Sequence, residues 1–306
     1  MIKYIAMKRA ILSNITFSFL IKILTYGFSF FTLMYVARIL QPDTFGKTSF
    51  SASFAGYFVM FASLGMPIYA MRACAAKRSD RRELSKIFNE LWSINIFLSV
   101  ISALGLFIAI IFIGKLRTNL GLIAIYGSSI LFQMIGCEWL FKGLEKFKLL
   151  AIVSFIFKII SFVLILIFVQ SETDVLIYAL LSVLSSYGSS IVYFIILHRY
   201  VDVRFSYKIN WKHLRSLLIF FMMTCAVTIY SSLDLTMLGF MKTDAETGLY
   251  SIASKGKEVL TLLGGLVWSS VLPIATRLWK DGDRARFKSL AVKSLVIVSG
   301  IQMVLA

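Results

Sequence analysis

Apolar residues in this chain come in nine long runs: 10–37, 45–70, 91–113, 119–141, 149–170, 174–197, 216–241, 249–275 and 289–306. A hydrocarbon core about 30 Å thick takes roughly 20 apolar residues as a helix, so each run is read as a membrane-spanning helix. Basic residues crowd onto every second connection between the runs. Lys3, Lys8 and Arg9 precede the first run, and Arg72, Lys77, Arg78, Arg81, Arg82 and Lys86 follow the second. Lys142, Lys146 and Lys148 follow the fourth; Arg199, Arg204, Lys208, Lys212 and Arg215 follow the sixth; Arg277, Lys280, Arg284, Arg286, Lys288 and Lys293 surround the last connection. Most of the 32 Lys and Arg residues therefore fall on one side. The opposite side holds Arg38, Lys47, Lys115, Arg117, Lys242, Lys255 and Lys257. By the positive-inside rule the first side is cytoplasmic, with the N-terminus inside and residue 306 emerging outside. Lys22 and Lys158 lie within runs, and orientation does not account for them.

Composition narrows the class further. At 59% hydrophobic residues and a mean hydropathy of +0.85, the chain does not read as a soluble domain. The net charge of +17 is explained by orientation and by attraction to anionic membrane lipids, not by nucleic acid. The first run is too long for a signal-peptide core and stays as a helix. The connections are too short to hold an independent catalytic domain. Cys74, Cys137 and Cys225 lack metal or redox spacing, and no metal site is expected. His198 and His213 share one basic connection and read as solvated loop residues. Nucleotide-binding glycine loops and zinc-hydrolase motifs are missing, and Asp281-Gly282-Asp283 sits in a short basic loop as an accidental DxD. No catalytic residue is assigned.

An internal echo appears about 202 to 206 residues apart. Pro42-Asp43-Thr44-Phe45-Gly46-Lys47-Thr48-Ser49 follows the first run, and Asp244-Ala245-Glu246-Thr247-Gly248-Leu249-Tyr250-Ser251 follows the seventh. The second run closes on Pro67-Ile68-Tyr69-Ala70-Met71-Arg72 and the eighth on Pro273-Ile274-Ala275-Thr276-Arg277. Two of the three prolines thus mark corresponding helix ends. Such repeats point to a transporter built from two related bundles. The expected domains are a six-helix lobe over 1–200, a cytoplasmic connection over 201–215 and a partial second lobe of helices 7–9 over 216–306. Because the last run has no polar tail, the expectation is a fragment or truncated reading frame.

An ionisable group at mid-bilayer costs about 2.5–3.5 kcal/mol on insertion scales and needs a partner or a wet cavity. Lys22 lies on the stripe Asn14, Ser18, Lys22, Thr25, Ser29 and Thr32, and Lys158 on Ser154, Lys158 and Ser161. Steps of three and four place each stripe on one helix face. One reading is a hydrated cavity with cations in its wall, suited to an anionic substrate. The other is helix-to-helix packing, with each lysine paired to a buried acid. Asp234, about 8 Å outward from the midplane at 1.5 Å per residue, is either a site for a coupling proton or sodium ion or a structural counter-charge. Glu90 and Glu138 read as interfacial partners of basic neighbours.

Several segments together carry a family resemblance. They are Ala37-Arg38-Ile39-Leu40-Gln41-Pro42 with Phe45-Gly46, Leu64-Gly65-Met66-Pro67-Ile68-Tyr69, and Leu84-Ser85-Lys86-Ile87-Phe88-Asn89-Glu90-Leu91. Two more are Cys137-Glu138-Trp139-Leu140-Phe141-Lys142-Gly143-Leu144-Glu145-Lys146, and Asp234-Leu235-Thr236-Met237-Leu238-Gly239 with Gly248-Leu249-Tyr250. With them the chain resembles the Wzx-type polysaccharide repeat-unit flippases of bacteria, relatives of the multidrug (MATE) exporters. The resemblance implies an all-α polytopic membrane protein with a MATE-like fold of twelve helices in two lobes. Here that would be one complete six-helix lobe plus three helices of the second. It implies an undecaprenyl-diphosphate-linked oligosaccharide as substrate, moved by alternating access in the bacterial cytoplasmic membrane for O-antigen or capsule synthesis. A polysaccharide polymerase and a chain-length regulator are the implied partners. No cofactor is implied beyond a coupling proton or sodium ion. Lys22, Lys158 and Arg38 are the expected cavity residues. Two alternatives stay open: a drug/ion antiporter, which would more naturally place acids at mid-cavity, and a membrane enzyme of glycan assembly, which would need a reactive extracytoplasmic loop.

Overall fold

A backbone that enters hydrocarbon must satisfy its N–H and C=O groups within the segment, which for single runs of this length means helix. The computed structural model describes residues 24–25, 27–204, 210–258, 271 and 283–305, and among them the regular structure is helical, with no strand. In chain order the helices are α1 (Gly27–Ile39), α2 (Gln41–Ser63), α3 (Met66–Ala76), α4 (Arg81–Phe112), α5 (Gly114–Thr118), α6 (Leu120–Gly127) and α7 (Ser129–Ile135). There follow α8 (Glu138–Gly143), α9 (Phe147–Phe168), α10 (Val175–Tyr187), α11 (Ser189–Leu197) and α12 (Leu214–Met241). The last two are α13 (244–258) and α14 (Arg284–Leu305). The chain is a multi-pass membrane protein. Four segments are long and apolar enough to cross a bilayer, Gln41–Ala76, Arg81–Phe112, Phe147–Phe168 and Trp211–Met241, and α10 with α11 makes a fifth bent by 40°. Most of the eighth apolar run, and the first before residue 24, lie outside the described residues.

Among the described residues the runs that read as continuous are interrupted in four places. Between α2 and α3 the backbone turns left-handed at Leu64 (φ 37°) and Gly65 (φ 73°). Gly65 is needed twice over: a Cβ there would carry the strain of positive φ and would stand 2.6 Å from the Phe221 nitrogen and 2.7 Å from the Leu217 oxygen of α12. The fourth run steps between α6 and α7 at Ser128, which keeps helical φ and ψ, and breaks between α7 and α8 at Gly136, where the backbone is extended; the sixth bends between α10 and α11.

Up to Leu249 the described residues form one compact unit; those from Tyr250 form a second. In the first unit α2 is the central element, packed against α4, α6 and α12, while α9 packs on α10 and α3 on α8. Apolar side chains such as Phe31, Phe107, Phe112, Ile167 and Met222 stay exposed on the outside of the bundle, as a lipid-facing surface requires. α1 and α9 run side by side in the same direction. The Phe28 ring meets Phe155 and Phe162 at 5.9 and 5.2 Å, and the Tyr35 hydroxyl donates to the Val169 carbonyl at 3.1 Å. The turn from α9 to α10 closes on Asp174, which accepts from the Ser171 hydroxyl and the Gln170 and Ser171 N–H groups.

The two echoed segments meet. A Cβ on Gly46 would fall on the Asp244 carbonyl, and a Cβ on Gly248 would fall on the Pro42 carbonyl. Shifting Pro42 and Gly46 by 202 positions gives Asp244 and Gly248, so each contact is the other with the copies exchanged. Beside this crossing Lys115 bonds Asp244 at 2.8 Å, both partly buried, and the same ammonium lies 5.3 Å from the centre of the Phe50 ring.

Candidate functional site

Lys158 stands in the middle of α9, half-buried, at the level of Phe28 on α1. Among the described residues no acid pairs with it. The rest of its stripe packs: Ser154 shares a 3.0 Å hydrogen bond with the Tyr193 hydroxyl of α11, and Ser161 is 1% exposed. On α1, Ser29 and Thr32 donate to the Thr25 and Phe28 carbonyls of their own helix. Among the described residues the hydroxyls of Ser29, Thr32 and Ser154 thus bond to backbone or to a neighbouring helix, whereas the buried Ser161 hydroxyl, like the lysine, is left without a partner. Arg38 is exposed at the far end of α1. The α1–α9 pairing puts it some eight to eleven residues beyond Lys158, or about 12–17 Å along the axis. Asp234 lies on the exposed side of α12. Lys22 lies outside the described residues. The structure thus does not gather Lys158, Arg38 and Asp234 into one contact cluster.

It does build a cavity that hydropathy alone does not reveal. About 210 Å³ in volume, it lies between α2 (Ala52, Gly56, Val59), the α6–α7 break (Tyr126, Ser129) and α10 (Ser182, Val183, Ser186, Tyr187). Both broken helices border it, and they break on the same words. Tyr126-Gly127-Ser128-Ser129-Ile130 spans the first break and Tyr187-Gly188-Ser189-Ser190-Ile191 the second. Glycine weakens a helix and leaves its backbone open, and serine competes for backbone hydrogen bonds. Two glycine–serine steps in apolar runs are the sequence signal for this site. Gly188 also admits the neighbouring helix, for Phe157 of α9 packs where its Cβ would be, at 2.5 Å.

At the end of the bundle that carries the basic connections, His213 is not a solvated loop residue. Its Nδ1 lies 2.7 Å from the Tyr69 hydroxyl of α3, and its Nε2 lies 2.8 Å from Glu90 of α4. The Asn210 amide donates to the same carboxylate at 3.1 Å. The side chains of His213 and Glu90 are 15% and 22% exposed, so burial, not solvation, sets their surroundings. The partners lie 144 and 123 positions away, which is why loop context misreads this histidine. Glu138, as expected, pairs with a basic neighbour, Lys142, at 3.0 Å.

The motifs that carry the family resemblance have structural work in this fold. Ser85 accepts from the Asp202 N–H at 3.0 Å, and Asn89 accepts from the Arg204 N–H at 2.9 Å. Asn89 also donates to the Asp202 carbonyl, so with Glu90 the Leu84–Leu91 segment fastens both ends of the connection between α11 and α12. In the Glu138–Lys146 segment Trp139 stacks on Phe88 at 5.3 Å. Gly143 lets α8 approach the Met71 carbonyl of α3, and Glu145, at φ 58°, pairs with Arg78.

Residues 11–279 match the family described as polysaccharide biosynthesis protein, in agreement with the resemblance those motifs carry. Two relatives bear the name "Putative O-antigen transporter". One, from Shigella dysenteriae, is 26% identical over 288 residues, covering 92% of this chain and 71% of its own length. The other, from Escherichia coli (strain K12), is 22% identical over 269 residues, covering 87% of this chain and 65% of its own. The chain therefore spans about two thirds of the length of these relatives. No solved structure matches it. With a family match that runs from the first apolar run past the end of the eighth, the chain belongs to the polysaccharide biosynthesis protein family.

Proposed function

We propose that this chain moves undecaprenyl-diphosphate-linked oligosaccharide repeat units from the cytoplasmic to the outer leaflet of the bacterial cytoplasmic membrane, without making or breaking bonds. The observation that carries the reading is Lys158, a half-buried cation at mid-span with no acid paired to it among the described residues. A lysine there costs about 2.5–3.5 kcal/mol on insertion scales. A diphosphate passing the site would offset that cost, whereas a cationic drug would add to it. The names of the two relatives support the same substrate class.

On this reading Lys22, Lys158 and Arg38 line one path for the anionic headgroup while the polyprenyl tail stays in lipid. The architecture is a MATE-like pair of lobes working by alternating access, with 1–200 as the first, 201–215 as the cytoplasmic connection and 216–306 as part of the second. The reciprocal Gly46 and Gly248 contacts support the internal repeat on which that division rests. The N-terminus is cytoplasmic, and the polymerase and chain-length regulator act on the delivered product.

Deleting the gene tests the function. Lipid-linked repeat units are expected to accumulate on the cytoplasmic side and surface polysaccharide to fall; unchanged polysaccharide with raised drug sensitivity would replace this reading by an antiporter. Asp234 is the acid proposed to bind the coupling proton or sodium ion. Export by Asp234→Asn is expected to lose its dependence on the ion gradient at unchanged protein abundance. If only abundance falls, its role is structural.

A further inference from the structure

We infer that the cavity between the twin Tyr-Gly-Ser-Ser-Ile breaks is a binding site for an uncharged, polyhydroxylated ring, a single sugar residue of the transported oligosaccharide. The inference rests on the flippase reading and deepens it by placing the glycan apart from the diphosphate.

Four observations carry it. The first is chemical. Tyr126, Ser129, Ser182, Ser186 and Tyr187 line the cavity with five hydroxyl-bearing side chains, and among the described residues no charged one lines it. A hydroxyl both donates and accepts and rotates to suit its partner, so the wall complements a neutral ring with several hydroxyls. An ion in the same place would be buried without a counter-charge, at high cost. Ala52, Val59 and Val183 supply apolar surface for the C–H faces of such a ring.

The second is unmet hydrogen bonding. Ser129 is only 4% exposed, yet among the described residues its hydroxyl has no hydrogen-bond partner, and it belongs to the cavity wall. That hydroxyl is free to donate to or accept from a hydroxyl of the ligand. The third is size. A volume near 210 Å³ is below the roughly 300–1,000 Å³ of drug-sized pockets; it suits one ring and not an oligosaccharide. The fourth is placement. Discontinuous membrane helices recur at transporter substrate sites, where irregular backbone is tolerated because it lines a cavity. Here the α10–α11 bend of 40° and the α6–α7 step, where Ser128 keeps helical φ and ψ, carry the same pentapeptide and border the same space.

Gly56 gives a clean test, because a Cβ there meets nothing within 4 Å. Gly56→Leu, introduced into the native gene, should fill the cavity without striking backbone. Surface polysaccharide is expected to fall at least tenfold at unchanged protein abundance, with lipid-linked saccharide accumulating. Gly56→Ala, which leaves most of the volume, should lose less than threefold. The double variant Ser129→Ala with Ser186→Ala removes hydroxyls and adds no bulk. It decides the question if Gly56→Leu is degraded, with an expected loss of at least threefold at normal abundance. Export near the parental level in Gly56→Leu, or in the double variant, would leave the cavity as a water-filled packing defect and overturn the inference. Gene deletion separates the two claims. If deletion leaves surface polysaccharide intact, the flippase reading fails; if deletion abolishes it while the cavity variants export normally, only the sugar site fails.

Discussion

Gly46→Ala is expected to remove most of the folded protein from the membrane. The added Cβ would fall on the Asp244 carbonyl oxygen, with the Asp244 carbon at 2.7 Å and the Gly248 nitrogen at 2.9 Å. All three are main-chain atoms, so no side-chain rotation relieves the overlap. Ordinary overpacking costs about 1–3 kcal/mol, and moving two helix ends apart adds to this. The separation would also pull Asp244 from Lys115 and disturb Phe50, which is fully buried and packs on Gly239 and Phe240. Gly114→Ala is the control, since its Cβ meets nothing within 4 Å. Thermal unfolding of purified protein, with the fraction surviving size-exclusion chromatography, compares the two. A melting temperature for Gly46→Ala within about 2 °C of the parent would contradict the crossing as described.

Lys158→Met is expected to separate folding from function. Methionine keeps the unbranched shape and most of the length of the side chain and discards its charge. Because a mid-bilayer lysine opposes insertion by about 2.5–3.5 kcal/mol, the variant should be at least as abundant as the parent. Export should nonetheless fall tenfold or more, and Lys158→Arg should restore most of it. Such a rise in abundance with loss of transport is the reverse of what a structural lysine gives, since removing half of a buried ion pair destabilises. Full export by Lys158→Met would remove the residue from the proposed path.

These two residues show what could be read without the structure. Spans were read from run length, and the expected orientation from the density of basic residues in the connections; both are local properties. Lys158 stood out for the same reason, as a charge that orientation left over. Its surroundings were not legible, because they depend on α1 pairing with α9 more than a hundred positions away. Hydropathy averaged over a span also hides a two-residue step of glycine and serine. The fourth and sixth runs therefore looked continuous although the twin pentapeptide was in plain view. His213 was misread for a related reason: a basic loop predicts solvation, and only the fold brings Tyr69 and Glu90 to it. The echo around Gly46 and Gly248 was visible as likeness, while the contact between the copies was not.

That contact has a consequence for descent. Each glycine meets the other copy's main chain, which every amino acid shares, so no exchange of side chains in the partner segment can make room. Whatever the origin of the echo, neither segment tolerates a change of size at its glycine independently of the other. A change of size at either glycine is charged to the other, and it can be undone only where it arose.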